Sequence, residues 1–120
     1  MLVGGQLREA RSGASIDAYN PATGRPFARF PRGDAADVDD AVAAAQTAFR
    51  AWWATPPLDR AACLQRLAAL IEEHAQELAM LDVADNGSPI REMRKDAGIA
   101  ASQLRYFAGW LWSSGARPSR

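Results

Sequence analysis

A single cysteine and a single histidine are all that the chain has of the two residue types that most often build nucleophilic and metal sites. One thiol makes no internal disulfide, and a lone thiol suits a reducing compartment. Excess charge is missing as well: 14 Lys and Arg balance 14 Asp and Glu. That balance leaves no basic field to draw in nucleic acid or anionic lipid. Long apolar runs are absent, and none approaches the ~20 residues that a membrane span needs. The first residues include Arg8, Glu9 and Arg11 and no apolar core, so they are not read as a signal peptide. No G-x-G-x-x-G, Walker A or G-x-S-x-G motif occurs, which removes the familiar phosphate cradles and the nucleophile elbow. Internal repeats and low-complexity tracts are also lacking. The expectation is a soluble cytoplasmic protein with no nucleic-acid or membrane partner.

What is present has the size and composition of one ordinary domain: 120 residues, 48% apolar and 23% charged. The clearest period lies in residues 58–87. Leu64, Leu67, Ile71, Ala75, Leu78 and Leu81 recur at three- and four-residue spacing, which predicts one apolar helix face. Pro56 and Pro57 suit a first helical turn, and Thr55 is a candidate N-cap. Gly87 and Pro89 mark the far end. A break near positions 74–77 would divide the stretch into two shorter helices.

Residues 1–33 carry no helical period. Leu2-Val3 and Gln6-Leu7 flank Gly4-Gly5 as strand, turn and strand, and Ile16, Ala18 and Tyr19 form another β run. Asn20-Pro21-Ala22-Thr23-Gly24 is a turn, and residues 26–31 alternate into a further strand, so the segment is predicted as a short β-meander. Asp34 is the expected N-cap of a helix whose apolar face is Val38, Val42, Ala45, Phe49 and Trp52. Residues 90–94 read as a helical turn, and a last helix is expected over 96–110. Residues 113–120 are expected to be disordered.

Few residues carry reactive chemistry. Cys63 lies near a helix start, yet it reads better as a small packed apolar residue than as a nucleophile. His74 reads as an exposed helix histidine rather than a ligand. Asp37, Asp39 and Asp40 lack the EF-hand pattern and read as capping and solvated carboxylates. Trp52-Trp53 and Trp110 with Trp112 read as core or interface, because no basic excess accompanies them. An enzyme working through Cys63 and His74 is the remote reading.

Five segments in order resemble the N-terminal part of the NAD(P)-dependent aldehyde dehydrogenase superfamily. They are Asn20-Pro21-Ala22-Thr23-Gly24 in its frame, the run from Asp37 through Ala45 to Phe49 and Trp52, and Pro57-Leu58-Asp59-Arg60 leading to Leu67-Ala68-Ala69-Leu70-Ile71. Asp85-Asn86-Gly87-Ser88-Pro89 and Leu104-Arg105-Tyr106-Phe107-Ala108-Gly109 complete the series. The resemblance implies an α/β, aldehyde dehydrogenase-like family fold, of which this fragment supplies a mostly helical piece with a short N-terminal β-meander. Residues 1–112 would be the N-terminal portion of the coenzyme-binding domain and 113–120 a divergent tail.

By that resemblance the family oxidises aldehydes to carboxylic acids with NAD or NADP, through a cysteine, a glutamate and coenzyme loops that all lie C-terminal to this sequence. Cys63 does not match the nucleophile, so no catalytic and no cofactor-binding residue carries over. A monovalent-cation site is implied incompletely, with Asp96 as its carboxylate and Ala18 and Tyr19 as carbonyl donors. Asp96 reads equally well as the N-cap of the last helix. The expected partners are the missing remainder of the enzyme or a second copy of the chain. The alternative is a non-enzymatic helical interaction module or one piece of a split enzyme. The tail is expected to be a frameshift product. Codons chosen for residues 113–120, read from the last base of the Trp112 codon, can spell Glu-Leu-Arg-Gly-Ala-Thr-Ile-Pro, and the family has a Gly-x-Thr-Ile-Pro segment near this point.

Overall fold

In the computed structural model, which describes residues 1–115, the chain divides into two compact units, Met1–Ala54 and a second beginning at Thr55. The first unit opens with strands β1 (Leu2–Val3) and β2 (Gln6–Leu7), which pair antiparallel across Gly4-Gly5. Strands β3 (Ser15–Asn20) and β4 (Arg25–Pro31) form a second antiparallel pair. The predicted single meander is therefore two separate two-stranded sheets. The reason lies in residues 8–14, which leave the first pair to join a charged network on the helix that follows.

The turn between β3 and β4 forms as its residues dictate. The Asn20 carbonyl accepts from Gly24 N–H at 2.8 Å, and its side-chain oxygen accepts from Ala22 N–H at 2.9 Å. Gly24 has φ +67°, a conformation that a Cβ would strain. In the register, Ala18 faces Ala28 and Tyr19 faces Pro26, so Phe27 is the extra residue of a β-bulge.

Helix α1 (Ala35–Ala54) starts on Asp34, as its side chain predicts. Asp34 Oδ1 accepts from Ala36 and Asp37 N–H, and Asp37 Oδ2 accepts in return from Asp34 N–H at 3.1 Å. This reciprocal arrangement satisfies donors that a helix start otherwise leaves open.

The second unit holds α2 (Pro57–Glu73), α3 (Ala75–Asn86) and α4 (Ile90–Gly115). The long apolar stretch does break, at His74 (φ −97°, ψ 14°), which ends α2 and precedes α3. Pro56, not Thr55, occupies the N-cap position of α2 and provides no side-chain cap. Gly87 closes α3 in the left-handed conformation (φ 75°), its N–H bonded to the Val83 carbonyl. The last helix is longer than predicted at both ends. Nothing between Ile90 and Asp96 breaks a helix, so the expected turn and helix fuse. Asp96 then falls inside α4 and caps nothing. The helix also runs past Trp112 to Gly115, into the segment expected to be disordered. The remainder of that segment, 116–120, lies outside the described residues.

Both α2 and α3 pack on α4, and the buried contacts are alanines. Ala61, Ala68, Ala79, Ala97, Ala101 and Ala108 are all at least nine-tenths buried, while among the described residues no large side chain is fully covered. Small residues at seven-residue (Ala61, Ala68) and four- and seven-residue (Ala97, Ala101, Ala108) spacing let two helix backbones approach closely. The bidentate pairing of Arg105 with Glu72 and the Arg94–Gln76 bond at 3.1 Å cross the same seam.

Candidate functional site

In the first unit the chemistry is concentrated where residues 8–11 meet the start of α1. Asp37 is 2% exposed. Arg8 donates to it at 3.1 Å and to Asp40 at 2.8 Å, the Arg11 backbone N–H reaches Asp37 at 3.2 Å, and the Arg11 side chain holds Asp40 through two contacts. The hydrogen bonds from Arg8 and then Arg11 hold the Asp40 carboxyl below its usual range. Asp37 is thus a buried, paired carboxylate rather than a solvated one. The burial follows from its place at the helix start, where the Arg8 guanidinium and the backbone N–H groups of Asp34 and Arg11 converge on it. The cluster joins segments and presents no open coordination site.

Ala18 and Tyr19, expected as carbonyl donors, flank the bulge of β3 and β4. Pro26, opposite Tyr19, has no N–H to give to that strand. Asp96, the expected carboxylate, belongs to the second unit. It is exposed and lines an open groove of about 320 Å³ with Asp82, above Ile71, Leu78, Met93 and Ala97. Ala18 and Tyr19 thus belong to the first unit and Asp96 to the second. Among the described residues no group of three or more His, Cys, Asp or Glu is placed to hold a metal ion.

Cys63 is exposed on α2, which corrects its reading as a packed apolar residue. It faces away because Ala61 and Ala68 take the seam toward α4. His74 is exposed, as expected, with Nδ1 at 3.1 Å from Glu77 Oε2. Trp52 and Trp53 are 50% and 71% exposed, so neither is core within its unit. Trp53 stacks on Phe49 with ring centroids 5.9 Å apart.

The broadest feature of the second unit is uncovered apolar surface. Leu67, Leu78 and Leu81 of the expected stripe, Leu70 outside it, and Ile99, Tyr106, Phe107 and Trp110 on α4, are each 39–63% exposed. The packed face is the alanine seam and not the leucine stripe that the spacing predicts. The signal that would have found it is the repeat of alanine at helical spacing. Each of these helices is apolar on the side opposite its seam, as expected of an inner layer. No described helix is long and apolar enough to cross a membrane.

Comparison with known proteins resolves what such a layer belongs to. The sequence model of the aldehyde dehydrogenase family matches residues 7–116. Hydroxyisobutyraldehyde dehydrogenase of Mycolicibacterium austroafricanum is 42% identical over 109 residues, covering 91% of this chain and 22% of that protein. Phenylacetaldehyde dehydrogenase of Pseudomonas fluorescens is 44% identical over 113 residues, covering 92% of this chain and 22% of the relative. Among solved structures, PnpE from Pseudomonas sp. WBC-3 superposes with a TM-score of 0.88 at 41% identity, over 91% of this chain and 23% of PnpE. A crystal structure of PnpE in complex with nicotinamide adenine dinucleotide matches with a TM-score of 0.87 at 41% identity, over 90% of this chain and 22% of that one. The chain spans under a quarter of the length of each of these relatives.

Proposed function

Since the chain belongs to the aldehyde dehydrogenase family, we propose that it acts as the N-terminal segment of an NAD(P)-dependent enzyme that oxidises an aldehyde to a carboxylic acid, and that it is inert by itself. The single observation that carries this reading is the match over residues 7–116 combined with coverage of only 22% of the relatives. The chemistry of the chain agrees with it. Its one thiol sits exposed on α2, and its one histidine, eleven residues further along the chain, pairs with Glu77 instead, which is no nucleophile–base pair. The apolar faces of α2 and α4 support a role completed by further sequence, either the remainder of the enzyme in one chain or a separate piece of a split enzyme. An exposed free thiol fits the cytoplasm.

Coenzyme binding gives the test. A pyrophosphate needs organised backbone N–H groups at a helix start. The start of α1 is already filled by Asp34 and Asp37, and the start of α2 carries two prolines. Calorimetric titration of the purified chain with NAD is expected to show heat of dilution only. Saturable micromolar binding would overturn the proposal.

A further inference from the structure

The chain has two asparagines, and the residue after each decides its chemistry. An asparagine loses its side-chain amide when the backbone nitrogen of the next residue attacks the side-chain carbonyl carbon. Pro21 follows Asn20 and has no N–H to give up. Gly87 follows Asn86, and without a Cβ it puts nothing in the way of the attack. The structure places Asn86 at the joint between α3 and α4. It is the last residue of α3 and is exposed to water. Gly87 is the left-handed C-cap, and its N–H donates to the Val83 carbonyl at 3.0 Å. Asn86 Oδ1 accepts from Ser88 N–H at 2.7 Å, and Asn86 Nδ2 lies 3.8 Å from Met93 Sδ in the first turn of α4. Two opposed effects meet here. The Ser88 donor sits on the oxygen that gains negative charge when a nitrogen adds to the carbonyl carbon, which favours reaction. The bond to Val83 holds the attacking N–H in the helix end, which opposes it.

We propose that Asn86 is a site of spontaneous deamidation, gated by the C-cap of α3. When the last turn opens, Gly87 N–H leaves the Val83 carbonyl and gives its proton to hydroxide. The nitrogen bonds to Asn86 Cγ, the Cγ–Nδ2 bond breaks, and ammonia leaves with a proton taken from water. Water then opens the five-membered imide at either carbonyl, which gives aspartate or isoaspartate at position 86. Nothing is oxidised or reduced, and water is the only reactant consumed. Helix ends open at small cost, so the gate slows the reaction without closing it.

The product weakens the joint. A carboxylate at position 86 adds charge to the negative end of the α3 dipole, next to Asp85 and one helical turn after Asp82. The isoaspartate form also adds a methylene to the backbone before Gly87 and moves its N–H off the Val83 carbonyl. Both forms lose the amide donor that faces Met93. The step does not reverse, so it marks copies of the chain whose α3–α4 joint has been free to open. The proposal rests on the cap of α3 and not on the enzyme reading.

Incubation of the full chain at mildly alkaline pH, followed by peptide mapping with mass spectrometry, tests it. The expected result is the mass gain of amide-to-acid conversion at Asn86, with isoaspartate among the products, and no gain at Asn20. In guanidinium chloride, where the cap is gone, conversion is expected to run about ten- to a thousandfold faster than in the folded chain. Gly87→Ala, compared in guanidinium chloride so that folding plays no part, is expected to slow it at least about tenfold, because a Cβ hinders the approach. The converted chain, separated by its added negative charge, is expected to unfold at a lower urea midpoint than the original. Equal rates in the folded and unfolded chain would remove the gate, and a folded rate more than about a thousandfold lower would mean a sealed site. Either result overturns the proposal. Conversion of Asn20 at the rate of Asn86, a Gly87→Ala rate equal to the original, or an unchanged urea midpoint after conversion would overturn it too.

Discussion

Asp37 shows how far one residue's role can depend on segments distant in sequence. As one of several acidic residues at a helix start, it reads as a solvated capping group. In the folded unit it is 2% exposed, accepts from Asp34 N–H and pairs with Arg8. The capping half of that role was legible, because Asp34 and Asp37 stand three residues apart before an apolar run. The pairing was not, because nothing local ties Arg8 and Arg11 to a helix some thirty residues on. Replacing Asp37 with Ala removes one partner of a mostly buried pair and a cap. It should cost about 2–3 kcal/mol of stability, read as a lower urea midpoint. Asp40→Ala, at the more solvated edge of the cluster, should cost less. Equal losses in the two variants would contradict the distinction drawn from burial.

For the helices, the sequence showed the extent of the apolar stretch, its break near His74 and its end at Gly87 better than it showed the packed side. Leucine spacing identified a stripe, but the buried seam between α2 and α4 is alanine, because close helix approach selects for small side chains. The expected consequence inverts the usual order of sensitivity. Ala101→Leu, at a position with no exposed surface, should overpack the seam and cost about 1–3 kcal/mol. Leu67→Ala, at a residue already 46% exposed, should cost clearly less. Denaturant unfolding of the two variants decides this, and the reverse order would mean that the seam is not alanine-packed. The same seam carries a pH dependence. The hydrogen bonds from Arg105 hold the Glu72 carboxyl below its ordinary value, and its charge attracts in the same sense. A carboxylate with a depressed folded pKa contributes fully above the unfolded value, about 4.3 for Glu. The contribution is lost as pH falls through the depressed folded value. The midpoint difference between the original chain and Glu72→Gln should therefore be present at neutral pH and shrink below that range. Because the pair is exposed, added salt should reduce it. A difference that grows on acidification would contradict the assignment.

Each unit leaves apolar surface uncovered: Phe49, Trp52 and Trp53 in the first and Leu67, Ile99, Tyr106 and Trp110 in the second are 46–71% exposed. Hydrophobic dyes should therefore bind the folded chain strongly, and a chain silent to such dyes while cooperatively folded would argue against uncovered faces. The family was legible in five short segments. The two-sided apolar character of α2 and α4 was legible only as an excess of apolar faces, because which side is packed depends on helix pairings far apart in sequence. The central claim is that the chain is one segment of an aldehyde-oxidising enzyme and does no chemistry alone. The most direct measurement is NADH formation from an aldehyde and NAD, with the purified chain alone and with phenylacetaldehyde dehydrogenase of Pseudomonas fluorescens lacking its own corresponding segment. The account predicts a flat trace for the chain alone and a rise when the two pieces are combined. Steady NADH production by the chain alone would contradict it.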